Sequence, residues 1–304
     1  MNRLRLVAGR VAGLVVSVWA VVTLLFVYFE LTPYTGSGAV GHEDVTVPVS
    51  PADPLAQRYV DWLAWLVGVP DGVVDPIASA AGYTAAYLVP AMALAVVAGT
   101  AVRVYSVARN GALFDRSLDA AALLGVSVPA FAVAVLFREF LLVEYLDLLG
   151  RIGLYDTTTG PLSADNLTAA VYPGTAMFVS LTAVQLHRAG EGLRVYAGEE
   201  FVKTARAKGA GDWRVGWHVF RNTAITLVFV HLTELYGLLV VGVFTVEYVT
   251  ETPGLGELTI EAVLGGNLPL ILGITLLVVL LGVLATLVQD LALAAFDPRV
   301  NAEN

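Results

Sequence analysis

The 304-residue chain contains no cysteine and few charged residues. The absence of cysteine excludes disulfide bonds and thiolate metal sites. Charged residues make up only 14% of the chain, hydrophobic residues make up 57%, and the mean hydropathy is +0.75. Since soluble domains carry about 25% charged residues, this composition excludes an ordinary soluble protein. It indicates a chain whose solvent is lipid.

Long apolar runs occur along the whole chain. Backbone amides in hydrocarbon must be hydrogen-bonded internally, so a spanning segment is a helix or part of a closed barrel. The runs are continuous rather than alternating, which favours helices, and about 20 residues are needed to span the hydrocarbon. The sequence therefore predicts an all-α membrane protein with about six transmembrane helices, the third and fourth interrupted by Pro129 and Pro173. The predicted spans are Val11–Phe29, Ile77–Val102, Ala120–Phe137, Ala169–Leu186, Ile225–Phe244 and Leu268–Leu293.

The charges are distributed unevenly between the two sides of these spans. With the N-terminus in the cytoplasm, 14 of the 17 Lys and Arg residues lie inside, and roughly 16 of the 26 carboxylates lie outside. The positive-inside rule then predicts that both termini are cytoplasmic, in a multi-pass protein of the plasma membrane. Arg outnumbers Lys fifteen to two and acidic residues crowd the outer loops, from which we expect a salt-loving prokaryotic host.

Three regions follow from this topology. Residues 1–30 form an N-terminal transmembrane helix, which is too long for a signal-peptide core and has no small-residue cleavage site after Glu30. Residues 31–76 are Pro-rich and acidic, which indicates an extracytoplasmic loop or small subdomain, with an interfacial helix at Asp61–Val69 that places Trp62 and Trp65 at headgroup depth. Residues 77–304 form a core of five transmembrane helices.

The longest cytoplasmic loop, His187–Arg221, has a distinctive order of residues. Good helix formers occupy Glu199–Lys208, with acidic residues first and basic residues last, as the helix dipole favours. Gly209 then predicts a helix end, and Asp212 a cap for a second helix. The segment at about 199–211 is predicted to be a slim helix on which another protein docks. The alternative is an ordinary basic loop held near lipid headgroups.

Several motifs resemble one family. They are Lys203-Thr-Ala-Arg-Ala-Lys-Gly209 with Arg221-Asn222, Glu247 with Pro253-Gly-Leu-Gly256, Asp297-Pro-Arg299, and Leu123–Pro129. Together they resemble the permease subunits of binding-protein-dependent ABC importers, in the dipeptide, oligopeptide and nickel transport family. The chain departs from that pattern at Ile225-Thr226, at Thr250 and at Glu30-Leu-Thr-Pro.

The resemblance implies a type I ABC importer permease fold and a non-catalytic subunit that forms the path for di- or oligopeptides. Its partners would be a second permease, homologous or identical, two ATPase subunits, an external substrate-binding protein and the lipid bilayer, with no nucleic acid. No GxxxxGK[ST] phosphate-binding loop is present, so ATP and Mg²⁺ are expected on the ATPase, with no catalytic residue, metal or cofactor in this chain. The implied ATPase-coupling residues are Glu200, Lys203, Thr204, Ala205, Arg206, Ala207, Lys208 and Gly209.

Other polar residues are candidates for the pathway or gate. Glu234 lies in the fifth span one turn after His231, and a carboxyl at that depth either faces the pathway or is satisfied by neighbouring polar groups. Glu247, Pro253, Gly254 and Gly256 form either a plain turn or a small external gate. We expect no glycosylation at the Asn166 sequon. Gln185 and His187 are expected to be polar anchors at the membrane interface rather than ligands, and the His42-Glu43-Asp44 run a solvated loop rather than a metal site.

Alternative functions remain open at this point. The same family also imports nickel chelates, and small sugars are a further class of solute. A stand-alone secondary transporter would need inverted repeats and ion sites near mid-membrane, and the first three spans do not repeat in the last three. An intramembrane enzyme would need a nucleophile or metal motif, and none is found in the sequence.

Overall fold

The computed structural model describes residues 3–31, 53–68, 72–109, 112–144, 155–197, 200–211, 214–217, 220 and 240–296. Regular structure in these ranges is helical throughout. In chain order the helices are α1 Arg3–Leu31, α2 Leu55–Val67, α3 Val74–Arg109, α4 Ala112–Ser127, α5 Ala130–Glu144, α6 Ala164–Ala169, α7 Val171–Ala197, α8 Glu200–Ala207, α9 Val240–Thr250, α10 Leu255–Leu264 and α11 Leu268–Phe296. The predicted all-α fold is confirmed.

Within the part of the chain that the structure describes, four stretches are long and apolar enough to cross a membrane as single segments: Val11–Tyr28, Val74–Ser106, Ala164–Gly190 and Pro269–Leu291. They coincide with the first, second, fourth and sixth predicted spans. Most of the fifth predicted span lies in 221–239, outside the described residues, and α9 shows its end. Pro173 does not break α7 because it is the third residue of the helix, where a backbone donor has no partner to lose.

The third predicted span differs from a single helix. It consists of α4 and α5, whose axes are bent by 92° at Ser127–Pro129. Proline lacks the amide that would continue α4 and disfavours helical geometry in the preceding residue. The Pro129 carbonyl instead accepts the amides of Ala132 and Val133, which begins α5 in a new direction. The predicted interruption of this span at Pro129 is therefore confirmed, and it takes the form of a sharp corner between two helices.

Apolar clusters join these helices into one bundle. Buried Tyr87, Ala134, Met177 and Val246 belong to a core that connects α3, α5, α7 and α9. A second cluster contains Trp62, which packs against α1 and α11 and is only 2% exposed. The predicted helix around Trp62 is confirmed as α2. However, its indole is covered by α1 and α11, and the Arg58–Glu30 ion pair ties α2 to the end of α1.

The bundle has two chemically different ends along α3. Thr84 and Arg103 are 19 positions apart, which corresponds to about 28 Å at 1.5 Å per residue, close to the thickness of the hydrocarbon. The Glu247 end contains Thr84, α10 and the 155–163 loop. The Arg103 end contains Arg103, the last turns of α7, and the whole of α8. The two groups of predicted site residues lie at these opposite ends.

Candidate functional site

At the Arg103 end, α8 is a short helix whose bounds, Glu200–Ala207, lie within one residue of the predicted Glu199–Lys208 at each end. Glu200 occupies its first turn and pairs with Lys203 over 2.8 Å, and the Thr204 hydroxyl donates to the Glu200 carbonyl. The Lys208 amide donates to the Thr204 carbonyl, and Gly209 follows with φ +76°. Because this left-handed geometry favours glycine, Gly209 ends the helix as the sequence predicts.

The contacts of α8 leave most of the segment uncovered. Val202 is buried in a cluster with Val104 of α3, Ala189 and Leu193 of α7, and Val215. The other described side chains and Gly209 are exposed: Glu200, Lys203, Thr204, Ala207 and Lys208. Ala205 and Arg206 lie within the helix. Among the side chains of α8 that the structure describes, Val202 is therefore the apolar anchor on the bundle, and the others are exposed.

The chain returns to the bundle directly after Gly209. The Gly211 carbonyl accepts the amides of Arg214 and Val215, which brings Val215 into the cluster below α8. The predicted Asp212 cap lies outside the described residues. A helix, a glycine stop and a return turn thus form one compact element.

At the Glu247 end, the sequence-predicted gate residues meet around a buried carboxylate. Glu247, on α9, is fully buried. Its Oε1 accepts hydrogen bonds from the Thr84 hydroxyl at 2.7 Å and from the Tyr87 hydroxyl at 2.8 Å, and its Oε2 accepts the Gly256 amide at 2.6 Å. Thr84 Oγ1 also accepts the Leu255 amide at 2.9 Å. Side chains from α3 and α9 therefore bind the free amides at the N-terminus of α10, as capping groups do.

The glycines of the Pro253–Gly256 turn make this arrangement possible. A Cβ atom at Gly254 would collide with the Glu247 carboxyl group. A Cβ atom at Gly256 would lie 2.6 Å from the Phe244 Cα. The turn is therefore a close contact between α9 and the start of α10, which begins at Leu255.

A cavity of about 520 Å³ opens beside this turn. Its lining includes Tyr83, Pro253 and the carboxylates of Glu251, Glu257 and Glu261. Burial, and then the charges of Glu261, Glu247 and Glu251, raise the pKa of Glu257 to about 7. This mouth of the bundle is therefore acidic, and one of its carboxyl groups titrates near neutral pH.

Asn166 shapes one wall of the cavity. It is fully buried. Its Oδ1 accepts the Asp156 amide at 2.8 Å, and its Nδ2 donates to the carbonyls of Asp156 and Gly160 and to Thr159 Oγ1. The Tyr83 hydroxyl donates to the Thr159 carbonyl at 2.9 Å. These contacts fold the 155–163 loop over the end of α3, so the sequon is part of a structural hub.

Gln185 and His187, the two predicted polar anchors, both lie on α7. Gln185 is buried and donates to Thr100 Oγ1 over 2.9 Å, so it joins α7 to α3 and is not a headgroup anchor. His187 is half-buried. Among the described residues, no group of three His, Asp or Glu side chains is placed to hold a metal ion. Glu234, His231, His42-Glu43-Asp44 and Asp297-Pro-Arg299 lie outside the described residues.

Sequence reasoning missed Arg103, which is fully buried between α3, α4 and α7. One signal was available. The predicted second span ends at Val102, directly before this arginine, and the next segment carries Asp115 and Asp119 four residues apart. Such spacing places two carboxylates on one face of a helix.

Comparison with known proteins agrees with this geometry. Residues 91–302 match the family described as binding-protein-dependent transport system inner membrane component. A protein of Brucella suis named as a peptide permease is 29% identical over 301 residues, covering 92% of this chain and 94% of the relative. A Brucella abortus protein named as a peptide transport system permease is 27% identical, with 97% and 98% covered. The glutathione transport system permease protein of Shigella boydii is 28% identical, with 98% and 99% covered.

Proposed function

Because the chain belongs to the family of binding-protein-dependent transport system inner membrane components, we propose that it is a permease subunit of an ABC importer that takes up di- or oligopeptides. The apolar helices provide the membrane-spanning part of such a path. The names of the relatives support peptides as the solute, since two are named for peptides and one for glutathione, itself a tripeptide. These relatives match the chain over nearly its whole length.

We propose that α8 is the coupling helix, and one observation carries this assignment. The helix buries Val202 against α3 and α7 and leaves Glu200, Lys203 and Lys208 exposed. A partner protein that binds the exposed surface can therefore push on two long helices through the Val202 contact. Gly209 fixes where the helix ends. The remaining coupling residues, Thr204, Ala205, Arg206 and Ala207, belong to the same two turns.

The partners follow from this role. Two ATPase subunits would bind ATP and Mg²⁺ and dock on α8, a second permease would complete the path, and an external binding protein would deliver the solute. This assignment places both termini and the Arg103 end in the cytoplasm and the Glu247 end outside. It also places the acidic outer loops in the medium of a salt-loving prokaryote.

At the opposite end we propose that Glu247, Pro253, Gly254 and Gly256 form an outer gate element. The Glu247 carboxylate joins α9 to α3 and to the first amides of α10, so α10 follows any movement of those two helices. Pro253 borders the cavity. Glu234 is expected to face the pathway inside the bundle, and its role stays a prediction.

A substitution at Gly209 tests the coupling role. Valine cannot adopt φ +76° without strain, so Gly209→Val should disturb α8 while leaving the spans inserted. We expect uptake to fall while the associated ATPase continues to hydrolyse ATP. Gly211→Val is the matched control, because nothing lies within 4 Å of a Cβ there and no left-handed φ is required. If no ATPase purifies with the wild-type chain, or if uptake continues without one, the proposed function is wrong.

A further inference from the structure

Arg103 makes an unusual set of contacts for a cationic side chain. Its guanidinium has no exposure to solvent. The Nε group donates to the Leu186 carbonyl of α7 at 2.6 Å, Nη1 pairs with Asp115 at 3.2 Å, and Nη2 pairs with Asp119 at 2.9 Å. Both carboxylates belong to α4. One side chain from α3 is therefore bonded to two other helices at once.

The surroundings of Arg103 are built around this guanidinium. A buried charge is costly unless opposite charges and hydrogen bonds compensate it. Ser106, one turn further along α3, also donates to Asp115, at 2.9 Å. On the other side, a Cβ atom at Gly190 would lie 2.8 Å from Arg103 Cζ. A larger residue at this position of α7 would require the guanidinium to move from its present place.

The contacts of Arg103 with Leu186, Asp115 and Asp119 are called the clamp here. The clamp lies next to the cluster in which Val202 anchors α8. Val104, the next residue of α3, packs in the cluster that contains Val202. Ala189 and Leu193 of α7 belong to the same cluster, within two turns of the Leu186 carbonyl that Arg103 binds. Arg103 thus joins α4 to the two helices on which α8 rests.

We propose that Arg103 is a positioning residue that makes α4 move together with α3 and α7 when α8 is displaced. This inference rests on the proposed coupling role of α8. Further from this end, α4 also contacts α7 where Gly125 faces Ala183. Loss of Arg103 therefore removes the ion pairs at one end of α4, leaves the Ser106–Asp115 hydrogen bond in place, and leaves the helix packed in the bundle.

The movement of α4 is tested directly by a distance measurement. Because the chain has no cysteine, spin labels can be placed at Leu113→Cys on α4, which is 80% exposed, and at Leu167→Cys on α6, beyond the far end of α7. The assembled complex in lipid nanodiscs is measured without nucleotide and with ATP–Mg²⁺ under conditions that block hydrolysis. For the otherwise unaltered chain, the distribution of distances between the two labels should show a single narrow peak in both states. Arg103→Gln should lose it.

Two comparisons separate a clamp from general stabilisation. Arg103→Lys keeps the charge but cannot bond to three partners through a rigid fork, so it should also lose the narrow peak. Arg58→Gln removes another arginine–carboxylate pair, between α2 and α1, and should keep it. Asp119→Asn, on a partly exposed residue, tests the same clamp if Arg103→Gln does not assemble.

A functional readout completes the test. In proteoliposomes supplied with trialanine and the binding protein, uptake per ATP hydrolysed should fall about tenfold in Arg103→Gln, within the usual range of coupling between linked sites. An unchanged distance peak, or parallel losses of hydrolysis and uptake, would overturn the inference. If the wild-type complex neither binds an ATPase nor hydrolyses ATP, the proposed function fails instead, and the distance measurement still decides whether Arg103 holds α4.

Discussion

The carboxylate of Glu247 accepts the backbone amide of Gly256 at 2.6 Å, and this contact joins the end of one helix to the start of the next. Thr84 and Tyr87 donate to the other oxygen of the same carboxylate from α3, more than 150 positions earlier in the chain. Three helices thus share one buried acceptor group. Its removal has consequences that can be measured.

Glu247→Gln should destabilise the protein. The glutamine keeps the size of the side chain, but its amide group places donors where Glu247 accepts hydrogen bonds. An unsatisfied buried donor costs about 1–3 kcal/mol. The free energy of unfolding in detergent, followed by circular dichroism, should fall by an amount of that order. Glu200→Gln on the exposed surface of α8 is the control, and an equal change in both variants would contradict the capping role.

Gly256→Ala should destabilise the same contact from the other side. The added methyl group would lie 2.6 Å from the Phe244 Cα, where backbone must move to make room. Overpacking of this kind costs roughly 1–3 kcal/mol. Gly160→Ala is a matched control because a Cβ there has nothing within 4 Å. The thermal unfolding midpoints of the two variants are compared. A Gly256→Ala midpoint equal to that of the control would show that the turn accommodates a methyl group without loss of stability.

Glu257 should make stability depend on pH. Its pKa is raised from an ordinary value of 4.5 to about 7, chiefly by burial. Between these values the folded protein holds a proton that the unfolded chain has released, so stability falls as the pH rises from about 4.5 to 7. Glu257→Gln should lose this part of the pH dependence. Thr157→Ser, which alters the same cavity without removing a charge, should keep it. Unfolding titrations from pH 5 to 8 measure the difference.

Asn166→Ala should loosen the 155–163 loop. The buried amide side chain makes hydrogen bonds to backbone groups of Asp156 and Gly160, and its loss removes all of these bonds, including the acceptor of the Asp156 amide. We expect a loss of about 1–3 kcal/mol in unfolding free energy and faster protease cleavage within the loop. Thr168→Ala, on an exposed residue of the same helix, is the control. Equal cleavage rates in the two variants would show that other contacts hold the loop.

The proposed acidic outer surface leads us to expect a salt requirement. Carboxylates that repel one another are screened by salt, so the unfolding temperature should rise from low salt to molar KCl. This rise in unfolding temperature should be larger than the rise measured for a related permease with a balanced surface charge. Undiminished stability in low salt would reject the proposed salt-loving host.

Local features were predictable from the sequence. Apolar runs predicted the spans because backbone in lipid must be helical, and the acid-to-base order with Gly209 predicted α8 because helix ends have their own electrostatics and geometry. The two groups of motif residues were expected on opposite sides of the membrane, and in the structure they lie at opposite ends of the bundle. These signals are contained within short stretches of chain.

Contacts between distant segments were not predictable in the same way. Nothing near Glu247 in the sequence identifies Thr84 and Tyr87 as its partners, because only the packing of α3 against α9 brings them together. The same holds for Arg103, which lies at a predicted span boundary where an arginine is normally expected to face headgroups. The direction of α5 after Pro129 also depends on what α5 packs against, since proline ends a helix without fixing the next one.

The 92° corner at Pro129 has a consequence for biogenesis. The corner is held by α7, where Ala183 meets Gly125 and the Tyr172 hydroxyl donates to the Ala134 carbonyl. A ribosome makes residues 112–144 before it makes α7, so the insertion machinery receives this bent piece without the contacts of α7. These contacts across the corner can form only after α7 has been synthesised.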